Sequence, residues 1–138
     1  MSWTEKIPPQ EITEKITNAT VDFAKRFGTY LGNDDYDSTR NRPLHNKLTT
    51  SQLRRFFGEV KRQQMVGYNE TDFVLLKPKL AYAVGRAKDK NAKIRDFYFV
   101  MSAAIDLVKN EKQFKNFIKA FEAIVAYHKA AEENMSIN

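Results

Sequence analysis

Apolar residues in this chain recur every three to four positions over long runs, and no segment alternates at period two for the length of a strand. A period near 3.6 gathers apolar side chains on one side of a helix, whereas a half-buried strand needs them at every second residue. The chain therefore reads as an all-α, single-domain bundle of about five helices over residues 1–138. Five glycines and four prolines in 138 residues leave few interruptions. A domain of this length buries roughly two thirds of its unfolded surface, enough for a core without disulfide or metal staples.

Residues 1–9 read as a loose start. Ile12, Ile16, Ala19, Phe23, Phe27 and Leu31 then share one stripe of a first helix that stops near Gly32. Residues 32–47, GNDDYDSTRNRPLHNK, are rich in turn formers and form a long loop, expected to be mobile. Asp34, Asp35 and Asp37 imitate the start of a calcium loop, but the glycine at the sixth position and the glutamate at the twelfth are missing. The second helix carries its own start signal: Thr49 as N-cap, Gln52 three residues later, and Leu48 and Leu53 placed to staple the entry. It runs to about Met65.

A third helix covers about Asp72 to Lys88, with Pro78 implying a bend or a late start. The fourth, about Ala92 to Val108, is apolar nearly all round through Phe97, Tyr98, Phe99, Val100 and Met101, a pattern that predicts a central helix. The fifth, about Glu111 to Ala131, buries Phe114, Phe117, Ile118, Phe121, Ile124 and Val125 and sets Ala120, Ala123, Ala126 and Ala130 on its other side. Residues 132–138 are expected to fray.

Charge narrows the function. The chain has 23 Lys+Arg against 17 Asp+Glu, a net charge of +6 and a pI near 9.5, which suits a polyanionic partner. There is no cysteine, which excludes disulfides, thiolate metal sites and thiol nucleophiles and makes a reducing cytoplasm the simplest location. No basic, then apolar leader pattern and no run of eighteen apolar residues occurs, so no membrane is expected. Phosphate-loop, nucleophile-elbow and zinc-protease motifs are all missing. The two histidines, His45 in the loop and His128 on an apolar stripe, have no ligand spacing around them. No catalytic residue, metal or cofactor is assigned, and the chain is not expected to be an enzyme.

Two basic helix faces carry the binding chemistry. On the second helix Leu53, Phe56, Phe57 and Val60 point one way, and Arg54, Arg55, Lys61 and Arg62 cover the opposite arc around Gly58. On the third, Lys79, Tyr82 and Arg86 line one strip beside the inward Leu76, Leu80, Ala83 and Ala87. Cations that neutralise phosphates beside an aromatic ring that can stack on a base suit single-stranded nucleic acid. The same pattern also describes a solvated face opposite a core stripe, with Tyr82 half-buried in packing.

Three segments, LTTSQLRRFFGEVKR (Leu48 to Arg62), LLKPKLAYAVGRAK (Leu75 to Lys88) and FKNFIKAFEAIVAYHK (Phe114 to Lys129), together resemble the small-subunit family of the type III-A CRISPR Csm effector complex. That resemblance implies a noncatalytic subunit of an antiviral ribonucleoprotein, present in several copies along an inner filament, with guide RNA, target RNA and other Csm subunits as partners. It further implies that Arg54, Arg55, Lys61, Arg62, Lys79 and Arg86 face the target RNA strand. On the last segment, which looks mainly structural, His128 and Lys129 are the positions that would reach it. A helix-turn-helix DNA-binding regulator built on Thr49 to Arg62, or a protein-interaction bundle meeting an acidic partner, are the rival readings.

Overall fold

A computed structural model describes residues 3, 5, 13–87, 89 and 91–133. Within them the helices are α1 (Asn18–Leu31), α2 (Thr50–Val66), α3 (Glu70–Val74), α4 (Leu76–Arg86), α5 (Ile94–Leu107) and α6 (Glu111–Glu132), with two-residue strands β1 (Tyr36–Asp37) and β2 (Arg42–Pro43). The fold is all-α: five helices of 11 to 22 residues carry it, and α3 adds one turn.

α1 starts later than its apolar stripe predicts. Thr17 caps it by accepting from the Ala19 N–H, while the Thr17 N–H donates to the Thr20 hydroxyl. Hydroxyls can satisfy first-turn N–H groups and the Ile16 side chain cannot, so the cap overrides the apolar period. Ile12 lies outside the described residues. Gly28 and Gly32 then determine how α1 packs. Gly32 has a helix-like φ of −84°, so it is not there for a left-handed turn. A Cβ on Gly28 would lie 2.6 Å from the Ile124 carbonyl oxygen, and one on Gly32 would lie 2.6 Å from that of His128. Two glycines one turn apart thus let α1 rest directly on the α6 backbone.

Residues 32–47 hold more structure than a long loop suggests. β1 and β2 pair antiparallel, Tyr36 opposite Pro43 and Asp37 opposite Arg42. Buried Asn46 accepts from the Asp35 N–H and donates to the Asp35 carboxylate and the Asn91 carbonyl. Asp34 accepts from the Lys47 N–H. Beneath them lies Lys93, only 2% exposed, whose ammonium donates to the Tyr30 and Asn33 carbonyls at 2.7 Å and pairs with Asp35 at 3.1 Å. A cation at the C-terminal end of α1 meets the unsatisfied carbonyls and negative dipole end of that helix. Burial pushes the Asp35 carboxyl up, but its bonds with Asn46 and Lys93 outweigh this and hold it below the usual carboxylate value.

The α2 start is as its sequence predicts: Thr49 accepts from the Gln52 N–H, Gln52 returns the bond, and Leu48 and Leu53 are both buried. α2 ends at Gly67, whose φ of +108° favours glycine. The expected third helix is two, α3 and α4, joined at Leu75. Pro78 falls in the first turn of α4, where a missing N–H costs no helical bond.

One expectation fails at α5. Its Phe97, Val100, Met101, Ala104 and Ile105 are buried, but Phe99 is 68% exposed. α5 is thus an outer helix, and α6 takes the central place. Phe114, Phe117 and Phe121 of α6 meet Phe73, Phe56, Phe57 and Phe97 ring to ring. Of the alanines on α6, Ala120 is buried, Ala123 and Ala130 are half-buried and Ala126 is exposed. At the chain's start, Trp3 packs on Phe23, Phe27 and Tyr30, and Glu5 pairs with Arg26. The other residues of the expected loose start lie outside the described ones, as do 134–138 of the expected frayed end.

Candidate nucleic-acid interface

The helices α2 and α4 flank a groove of about 560 Å³. Leu76, Leu80 and Phe56 from these helices, with Ile94 and Phe97 of α5, form its apolar floor. The amphipathic pattern of α2 turns Phe56 inward and leaves Arg55 and Glu59 on the rim; the same logic on α4 buries Leu80 and raises Lys79, Tyr82 and Arg86. Glu59 meets Lys79 while Ser51 and Gln52 share the groove with Arg86 and Ala87, so the two helices pass antiparallel.

Four of the seven residues singled out from the sequence converge here: Arg55, Lys79, Tyr82 and Arg86. Tyr82 is 70% exposed with the Arg86 guanidinium 5.9 Å from its ring centre, so it is not the half-buried packing residue of the alternative reading. Arg54 is exposed on α2 beside the groove without lining it. The remaining two are turned to partners. Lys61 pairs with Glu122 of α6 at 3.2 Å and lies over the Phe57 ring. Arg62 gives Glu59 two hydrogen bonds, at 3.1 and 2.8 Å.

Glu59 also accepts from Lys79 at 2.8 Å and thereby ties α2 to α4 across the groove. Hydrogen bonds from Arg62 and Lys79 hold its carboxyl down at about 2, so it is ionised at neutral pH. Arg54, Arg55 and Arg86 form no ion pair with the described residues. Among the described residues, the groove's cations without an ion pair are thus Arg55, one turn before Glu59 on α2, and Arg86 in the last turn of α4. Gly58 is exposed, and a Cβ at this position would meet nothing within 4 Å among the described residues, so no described helix uses it for close packing.

His128 does not reach a surface. It is 2% exposed, and its Nε2–H donates to the Leu48 carbonyl at 2.6 Å, fixing the entry of α2 against α6. The Tyr30 hydroxyl, half-buried and bonded to Asp96, is pushed well above its ordinary pKa by burial and by that carboxylate. Sequence reasoning missed the bridging role of Glu59, which depends on a partner on another helix. It missed Lys93 altogether, because nothing local marks a lysine as buried. Among the described residues no cluster of three or more His, Asp or Glu could hold a metal ion, and no helix is long and apolar enough to cross a membrane. After α2 the chain turns into the five-residue α3, too short to be the recognition helix of a helix-turn-helix.

A family model described as Csm2 Type III-A matches residues 14–134. No curated protein and no solved structure matches the chain.

Proposed function

The chain belongs to the Csm2 type III-A family, the small subunits of the CRISPR-associated Csm complex, and from that premise we propose that it is a noncatalytic RNA-binding subunit holding the guide and target strands of that complex in antiviral defence. The observation that carries the reading is the convergence of Arg55, Lys79, Tyr82 and Arg86 on one groove, with Arg54 beside it. Each cation facing a phosphate releases condensed counterions, and affinity gained in this way is independent of sequence. Choice of target is then left to guide pairing.

Lys61, Arg62 and Lys79 act in a second capacity. Glu122 ties Lys61 to α6 and Glu59 holds Arg62 and Lys79 together, and each cation keeps donors free for a phosphate. Several copies of the chain along a filament, in contact with other Csm subunits in the cytoplasm, would set such grooves side by side. No metal or cofactor enters the mechanism. The test is target-RNA retention by the assembled complex carrying Arg54→Glu, Arg55→Glu and Arg86→Glu. These side chains are exposed and lie off the core stripes, so the fold should persist while retention falls. Unaltered retention would overturn the reading.

A further inference from the structure

We propose that the α2–α4 groove seats one unstacked base of the target RNA strand, with the neighbouring phosphates held at Arg55 and Arg86. This rests on the RNA-binding reading above and adds a place for a base to it. What points to a base as well as to phosphates is that Arg55, Lys79 and Arg86 line a hollow whose other walls are mostly apolar. Its volume of about 560 Å³ lies within the range of roughly 300–1,000 Å³ typical of small-ligand sites. Ala83 and Ala87 keep one wall low, and larger side chains there would fill the space. Phe56, Leu80, Ile94 and Phe97 offer the floor an apolar, partly aromatic surface for a ring.

Charge gives the hollow a direction. At one end Glu59 is engaged by Arg62 and Lys79, which ties up part of their charge, and its remaining lone pairs can accept from the exocyclic amino group of a base. Beyond it come Arg55, one turn earlier on α2, and then Arg86 in the last turn of α4, and the first turn of α2 carries no acidic side chain. A strand crossing there meets positive charge while a base turned inward meets apolar wall. Tyr82, exposed beside Arg86, supplies a flat face at the mouth on which that base or the next can stack.

The experiment uses the assembled complex with guide and a target RNA carrying 4-thiouridine at successive single positions, irradiated so that crosslinked peptides can be sequenced. Expected is a crosslink within Lys79–Arg86 at selected target positions. Ala83→Trp, which fills the hollow and leaves every cation in place, should abolish it and weaken target retention about five-fold or more, the scale of removing one base-stacking interaction. Should that variant fail to assemble, Tyr82→Ala at the exposed mouth carries the same test. Absence of the crosslink, or its persistence in Ala83→Trp, overturns the base seat; so does a groove crosslinked to another protein subunit. If retention still falls on reversal of Arg54, Arg55 and Arg86, the phosphate-binding reading stands without the seat. Indifference to every one of these changes removes both.

Discussion

Replacing Glu59 by glutamine should weaken the fold and tighten RNA binding at once. The carboxylate bridges α2 and α4 through Arg62 and Lys79, and its pKa is lowered from 4.5 to about 2 by their hydrogen bonds. At about 1.4 kcal/mol per pKa unit that displacement sets a ceiling of about 3 kcal/mol. Both cations are more than half exposed, at 54% and 57%, so solvent screening brings the expected loss to about 1–2 kcal/mol. Because the folded-state pKa is the depressed one, this stabilisation is complete above the unfolded value near 4.5 and disappears as pH falls through about 2. The assay is urea unfolding followed by circular dichroism, for wild type and Glu59→Gln, at several pH values between 7 and 2. The gap should be full at pH 7 and close towards pH 2. A gap that stays constant, or none at neutral pH, would refute the bridge. In the assembled complex the same variant removes a negative charge from the rim and frees two cations, so target RNA should be held more tightly, most clearly at low salt.

The glycines give a contrast of sign. Gly28→Ala forces a methyl to within 2.6 Å of the Ile124 carbonyl and should cost about 1–3 kcal/mol, whereas Gly58→Ala enters open space and should gain up to about 1 kcal/mol of helix propensity. Thermal melts shifting in opposite directions would bear this out, and a lower Tm for Gly58→Ala would contradict it. Lys93→Met should cost about 3 kcal/mol, since it takes a buried cation from the Tyr30 and Asn33 carbonyls and from Asp35. A Tm within a degree of wild type would show that this buried cation is not needed.

The features legible in the sequence were those with local causes. The Thr49–Gln52 capping box is a four-residue exchange of hydrogen bonds, so it can be read without the fold, and it starts α2 as expected. The basic strips of α2 and α4 follow from helical spacing alone, and four of the residues named there meet at the groove. The groove itself was not legible, because it depends on how far apart the two helices stand. Nor was the seat of Lys93, whose partners lie 58 to 63 positions earlier in the chain. Phe99 misled for a related reason: an aromatic-rich helix looks buried on every side until its neighbours show which side they cover. Gly32 looked like a helix stop and is also a point of close approach to α6, a role that only the partner helix reveals.

The most direct test of the central claim is a salt titration of target-RNA affinity for the assembled complex, comparing wild type with the Arg54→Glu, Arg55→Glu, Arg86→Glu variant. Every phosphate that the variant no longer neutralises should flatten the plot of log affinity against log salt by roughly 0.7–0.9, so the variant should bind more weakly at low salt with a slope reduced by about two or more. Equal affinity with an unchanged slope would mean that these arginines face no phosphate, and that the basic side chains of the groove serve something other than RNA.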